Sequence, residues 1–345
     1  MTHLLIHSCG PYTSIQDRGR SGWLRFGLAA AGAADPLALV VANSLAGNPV
    51  DAACIELVMM GITLEAVGGS VRLAMAGAPM PLTIDGASVP DHRSFVLAPG
   101  YRLHIGSARS GVYACLAVED GLDIKPELGS MSLHPRAGIG GLNGGYLAAG
   151  NVLPLMRREP THSPSVAANP VPMVSNGPLR VVLGPQDTHV TAQALETFFS
   201  ATYRVTPEVD RMGCRLDGPK IEHAKGFNIV SDGIVGGSIQ IPGSGLPIVM
   251  LVDRQTTGGY PKIATVITPD LRLLMQRRPG DSVLFAPISI EAAQAIARSN
   301  RDTVLNITRS IANARRAIDR SDILLSMNLA GDALNALDSA TWVNA

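Results

Sequence analysis

The chain has 345 residues, enough for two domains with separate cores, and its 28 Lys and Arg are balanced by 28 Asp and Glu. That balance removes bulk charge as a means of drawing in nucleic acid or an anionic membrane. Hydrophobic residues make up 46% but aromatics only 4%, with 36 Gly and 24 Pro, a mix that suits short strands and tight turns better than long helices.

The opening "MTHLLIHSCGPYTS" has no basic segment followed by a sustained apolar run. No later stretch reaches the ~18 apolar residues of a spanning helix, so a soluble cytoplasmic protein is expected. Strands are predicted at "LLIH", "ITLEA", "VRLAM", "SFVLA", "RLHIG" and "VYACLAV", separated by turn residues. Between the first two, "SIQDRGRSGW" (14–23) sets Asp17, Arg18 and Arg20 among glycines as a rigid charged loop. A helix then follows from Pro36. Asp35 caps it, Pro36 suits its first turn, and Gly47 stops it. Asn43 lies inside this apolar helix and needs a partner if buried. Glu56 in "CIELVMMG" admits two readings, an outward-facing strand position or an acid deliberately set in an apolar environment.

"RREPTHSPSVAANPVPMVSNGP" carries Pro160, Pro164, Pro170, Pro172 and Pro178 without apolar periodicity. It reads as an extended connector over 157–176, between a first domain at 1–156 and a second at 177–288. The second repeats the recipe of the first: "LRVVL", a helix over "THVTAQALETFFS", then strands at "CRLDG", "FNIV", "SIQI", "PIVMLV", "IATVI" and "SVLFA". The fold class is therefore mainly β with a few helices, as two barrels or curled sheets. The tail, 289–345, is predicted helical, with Ile296, Val304, Ile307, Ile311 and Ile318 at helical spacings. Its apolar stripe packs either on its own domain or on another subunit.

Cys9, Cys54, Cys115 and Cys214 are far apart and read as buried thiols rather than disulfide or zinc ligands. The eight histidines show no metal-binding spacing, so no protein-bound metal is expected. The chain lacks GxxxxGK[ST], GxGxxG, GxSxG and a Met-Lys-Met biotin carrier sequence. ATP or carboxylated biotin would have to come from another polypeptide.

The densest chemistry lies in "LVDRQTTGGYPKIATV" (251–266). As a plain hairpin, with Gly258 and Gly259 as the turn, it would need only a few small residues. Instead Asp253, Arg254, Gln255, Thr256, Thr257, Tyr260 and Lys262 are grouped there, and Lys262 is one of four lysines in the chain. Paired glycines allow close backbone approach and an anion nest, hydroxyls add donors, and Arg254 can grip a carboxylate or phosphate. "DRMGCRLDGP" and "SDGIVGGSIQIPGSG" also mix charge with glycine. Arg211, Ser231 and Gln240 are candidates to converge with the 253 segment at one barrel end.

"SIQDRGRSG", "AGAADPLALVVANSLAGNP", "IELVMMGITLEA", "DRMGCRLDGP", "SDGIVGGSIQIP" and "DRQTTGGYPKIATVI" together resemble the allophanate hydrolase subunit 2 (KipA) family. That family includes the C-subunit of 5-oxoprolinase and part of the biotin-dependent urea carboxylase carboxyltransferase region. The resemblance runs over roughly residues 4–288. It implies cyclophilin-like β-barrel architecture, a KipI-like (allophanate hydrolase subunit 1) partner, and a ligand site near the contact with that partner. Gly236, Gly145 and Asn151 depart from the family's usual Pro, Arg and Asp.

The activity implied is that of an ATP-dependent 5-oxoprolinase subunit, opening 5-oxoproline to glutamate with a KipI-like and a LamB/YcsF-like subunit and inactive alone. Alternatives are a carboxyltransferase component using biotin, and a non-catalytic regulator of a KipI-like kinase inhibitor. Under the first reading, Thr256, Thr257, Gly258 and Gly259 would stabilise developing negative charge. Arg254 or Lys262 would hold a carboxylate or phosphoryl group, and Asp253 or Asp17 would orient them or act as base. Gln240, Tyr260, Arg211, Ser231 and Asn43 complete the expected substrate-binding set.

Overall fold

The computed structural model describes residues 2–90, 92–156, 166 and 177–326, with the backbone alone at 317–326. The connector expected at 157–176 lies outside the described residues except for Val166, and the tail beyond 326 lies outside them altogether.

Residues 3–154 form two antiparallel sheets. The first runs in the order Val152–Pro154, His3–Cys9, Ile62–Val67, Arg102–Ile105, Leu82–Ile84, Ala87–Ser88. The second runs Ser14–Gln16, Cys54–Val58, Tyr113–Val118, Val71–Gly77, Ser94–Leu97. Leu4, Ile6, Leu64 and Leu103 of the first share one core with Ile55, Leu57, Leu73 and Leu116 of the second. Ile62–Val67 alternates between buried and half-buried positions, as expected of a sheet with one face toward solvent, whereas Tyr113–Val118 is buried throughout. Helix α1 (Pro36–Ala46) explains the difference, because it covers the outer face of the second sheet. Ala38, Leu39, Val41, Ala42 and Leu45 pack there on Cys54, Ala74, Ala76, Cys115 and Ala117, side chains small enough for close approach. The helix starts where Asp35 accepts the backbone N–H groups of Leu37 and Ala38, and it ends at Gly47, whose φ of +92° suits glycine.

Residues 179–287 build one eight-stranded sheet. Its order is Ser282–Val283, Tyr203–Val209, Gly213–Asp217, Ile248–Met250, Ser238–Gln240, Lys262–Val266, Leu179–Leu183, Phe285–Pro287. The two edge strands are separated in sequence by Leu284 alone, so the sheet curls until its edges meet and forms a nearly closed barrel. Phe198 of helix α2 (Ala192–Ser200) stacks on Phe285 at 4.6 Å beside the buried Tyr203. Helix α3 (Thr268–Met275) follows the Lys262–Val266 strand.

Several expected elements shift. "FNIV" (227–230) is not a strand: Phe227 turns beside His223 and Val230 is 92% exposed. The helix over "THVTAQALETFFS" begins only at Ala192, behind a Thr191 cap that accepts Ala194 N–H at 3.1 Å. "SVLFA" divides at Leu284 into the two closing edge strands. The Tyr203–Val209 strand and α3 were not anticipated. Gly258 and Gly259 are no two-residue turn, since Thr257–Gly258 pairs antiparallel with Asp232–Gly233.

Helix α4 (Ile290–Ser326) folds back on its own chain. Ile311 is buried against the α1 layer with Ile307 and Ala314 alongside, and Arg315 donates to the Leu45 carbonyl at 2.7 Å. Of the two readings of the tail's stripe, the one seen is packing on the same chain. The halves are also clamped directly. Arg272 and Gln276 donate to Asp35, Gln276 also bonds the backbone of Val112 and Tyr113, and Arg278 donates to the carbonyls of Gly111 and Ala108.

Candidate functional site

The segment from 253 to 262 spans two environments. At its first end Asp253 faces the junction between the two halves. Arg211 donates through Nε to Asp253 Oδ2 at 2.8 Å and through Nη2 to Oδ1 at 3.1 Å. The same guanidinium bonds Glu56 Oε1 and reaches the Gly32 carbonyl at 2.7 Å. Glu56 Oε2 accepts the Ala34 N–H at 2.6 Å. All three charged side chains are buried.

Strand alternation resolves the two readings of Glu56. It shares the face of Cys54, which points at α1 and the second half, while Ile55 and Leu57 fill the core. Burial pushes the Glu56 carboxyl upward, with Arg211 opposing. Burial alone would lower Arg211, but Glu56 and Asp253 reverse this and hold it firmly protonated. With every fork position of Arg211 occupied, the cluster joins the two halves, and Asp253 already has a bidentate partner.

The second end opens on the barrel rim. Gln240 and Lys262 are cross-strand partners, beside a register shift between Ile239 and Gln240. Lys262 is buried, and its Nζ donates to Asp232 at 2.7 Å. Asp232 is half exposed, and the hydrogen bond from Lys262 holds its carboxyl below the ordinary range, helped by the Gly233 N–H. Gln186 accepts the Lys262 N–H at 3.2 Å and donates to Asp232 at 3.4 Å. Gln240 is 2% exposed, and its Nε2 has no hydrogen-bond partner. Gly258 packs so closely that a Cβ there would lie 2.7 Å from that nitrogen and 2.6 Å from Ile234 Cδ1. Gly259 accepts the Ile229 N–H and lies beside the exposed Ser231. Thr257 and Tyr260 are exposed, while Thr256 is half-buried and accepts Ile234 N–H through its carbonyl. The rim thus presents an ammonium and a buried amide donor around closely packed glycines. That combination can receive an oxyanion or a carbonyl oxygen.

The remaining expected residues are engaged elsewhere. Arg254 donates to the carbonyls of Ile234 and Leu251, both at 3.2 Å, and burial lowers its pKa. It braces the rim loops. Asp17 accepts from Gly19 N–H, Ser130 Oγ, Ser132 Oγ and Met131 N–H at 2.6–2.7 Å, fixing the charged loop. Asn43 donates to the Ala52 carbonyl and accepts from Asn48 at the end of α1. So Gln240, Ser231, Gly258, Gly259 and Lys262 come together on the rim, Arg211 meets Asp253 at the junction, and Asp17 and Asn43 bond within the first half. Asp232 and Gln186 were missed. Asp232 stood in a loop rich in glycine and charge, whereas Gln186 carried no sequence signal.

Among the described residues no group of three or more His, Cys, Asp or Glu could hold a metal ion. None of their helices is long and apolar enough to cross a membrane. Cys54, Cys115 and Cys214 are buried and Cys9 is half-buried, all unpaired by disulfides.

Residues 26–287 match the model of the carboxyltransferase domain, subdomains A and B. The chain belongs to that family. The C-subunit of the Escherichia coli (strain K12) 5-oxoprolinase is 33% identical over 291 residues, covering 84% of this chain and 93% of that protein. The protein of the same name from Haemophilus influenzae is 33% identical over 298 residues, or 86% and 95%. Among solved structures, the urea amidolyase of K. lactis superposes with a TM-score of 0.81 at 25% identity. There the match takes in 88% of this chain but only 20% of that one, so this carboxyltransferase-domain chain corresponds to about a fifth of the larger enzyme.

Proposed function

We propose that this chain is a subunit of an ATP-dependent 5-oxoprolinase, converting 5-oxoproline and water to glutamate, with the rim site at Lys262 and Gln240 contributing to the reaction. The observation that carries this reading is the buried, unpartnered Gln240 Nε2 on the strand position paired with Lys262. The two 5-oxoprolinase relatives, matched over more than nine-tenths of their own length, supply the substrate class.

A lactam resists water because its amide is resonance-stabilised. ATP bound by the complex would phosphorylate the carbonyl oxygen and leave as ADP, making the carbon electrophilic. Once water has added and the C–N bond has opened with the nitrogen taking a proton, the phosphoryl group would leave as inorganic phosphate. This chain has no phosphate-binding loop sequence, so the nucleotide is assigned to a partner. Lys262 and Gln240 would donate to the oxygen that gains charge as water adds and the C–N bond opens. Asp232 keeps the ammonium aimed along the rim. Arg254, bound to two carbonyls, would preserve the shape of the loops rather than touch substrate. The partners proposed are a KipI-like and a LamB/YcsF-like subunit, the setting the cytoplasm, and the chain alone inactive.

A second reading is carboxyl transfer from biotin carried on another polypeptide. It is favoured by the family's carboxyltransferase description and the urea amidolyase superposition. The same donors would then polarise a ureido carbonyl. One experiment separates the two: glutamate release from 5-oxoproline by the reconstituted subunits, with ATP, with and without this chain. ATP-dependent release requiring the chain is expected, and Lys262→Ala should lower it about 10²–10³-fold. Full turnover without the chain, or in the variant, would remove the rim from the reaction.

A further inference from the structure

The run "MAGAPM" (75–80) ends the strand Val71–Gly77 in small side chains, and "PDHR" (90–93) leads into the edge strand Ser94–Leu97. Small residues fill little of the space at the open edge of a two-sheet core. At this edge lies a pocket of about 40 Å³. A water needs about 10–15 Å³ of such space, so the pocket takes about three water-sized groups. Its floor is apolar. Met75 and Phe95 come from the second sheet and Leu82 from the first, walled by Ala76, Gly77 and Ala78.

Two polar side chains, Arg93 and His92, also line the pocket, and both residues are half-buried. Among the described residues neither the Arg93 guanidinium nor the His92 ring has a hydrogen-bond or ion-pair partner. A guanidinium stays protonated, and no carboxylate stands among the described lining residues. The pocket therefore joins an apolar floor to an unmatched positive charge. Its walls are fixed in advance of any ligand. Ala78 N–H bonds the Tyr113 carbonyl and Arg109 N–H the Pro79 carbonyl, both at 2.8 Å, and Phe95 pairs across strands with Leu73.

We propose that this pocket binds a short-chain aliphatic monocarboxylate, its chain on the floor of Met75, Leu82 and Phe95 and its carboxylate on Arg93.

The two ends of the pocket select the two ends of such a ligand. The planar fork of Arg93 matches a carboxylate with two parallel N–H···O bonds. A chain of a few carbons displaces water from surface that water solvates poorly. A second charge on the chain would have to be desolvated against the floor, which excludes a dicarboxylate. A small inorganic anion would satisfy Arg93 and leave the floor wet. The pocket shares no residue with the rim and stands apart from the oxoprolinase reading, so either can fail without the other.

The test uses the full chain with methyl-labelled methionines and follows the Met75 methyl resonance by NMR, assigned through Met75→Leu. Butyrate should shift it saturably, at the millimolar concentrations expected of so small a ligand. Each methylene buried is worth about fourfold in affinity, so acetate, two methylenes shorter, should bind about tenfold or more weakly. Butanamide lacks the charge and succinate adds a second one, and each should also lose about tenfold or more. Arg93→Gln, which removes no bond of the fold, should weaken butyrate about tenfold. Lys262→Ala should leave butyrate binding unchanged, which separates this pocket from a carboxylate held at the rim. No saturable shift at Met75, affinity for acetate or succinate equal to that for butyrate, or unchanged binding in Arg93→Gln would overturn the assignment.

Discussion

Asp253 and Lys262 bracket one ten-residue segment, and each forms an ion pair, yet the two pairs have different surroundings. Asp253 shares Arg211 with Glu56 in a junction where all three side chains are buried. Lys262 pairs with an Asp232 that is half exposed, and its cross-strand partner Gln240 carries an amide donor with nothing to bond. A charge whose partners are complete and dry positions the fold. A buried charge whose partner faces water can exchange that partner for a ligand.

The largest effect should come from breaking the dry end. Arg211→Ala leaves Glu56 and Asp253 buried without their counter-charge, and should cost about 3–5 kcal/mol of folding stability. Denaturant unfolding of wild type and variant measures this. A loss below about 1 kcal/mol would mean that water reaches the junction and that the contrast between the two ends is false. Next, Lys262→Ala should cost less than about half as much in the same experiment, because its partner is already solvated. An equal cost would make Lys262 a structural residue and weaken its proposed role. The smallest effect concerns pH. The hydrogen bond from Lys262, with that from Gly233 N–H, holds Asp232 below the ordinary value of 3.8. A carboxyl lowered on folding adds stability above its unfolded pKa and loses it as pH falls through the lower folded value. NMR titration of the Asp232 carboxyl should therefore show its midpoint move up toward 3.8 in Lys262→Ala. An unmoved midpoint would deny that Lys262 is the dominant partner.

Much of the local structure was legible. Asp35, Pro36 and Gly47 mark both ends of α1 through capping chemistry that depends only on neighbours in the chain. The strand runs of the first half were legible for the same reason, since alternation is a local property. The candidate site was half legible. The grouping around 253–262 was visible as composition, and Gln240 and Ser231 do lie with its second end. The division of that segment between two environments was invisible, because neither Arg211 nor Asp232 lies within it. "FNIV" misled because an apolar run has the same letters whether or not a neighbouring strand exists to bury it.

From sequence alone came the β-rich class, the capped helix, the apolar stripe of the tail, the lack of a phosphate-binding loop and the grouping of donors. These follow from backbone preference and periodicity over a few residues. Tertiary structure alone decided that Glu56 answers to Arg211, 155 positions away, and that Asp35 both caps α1 and receives Gln276, 241 positions on. Such partners meet only when the two halves of the chain pack against each other. The free energy of a buried charge depends on which groups that docking brings within hydrogen-bond reach.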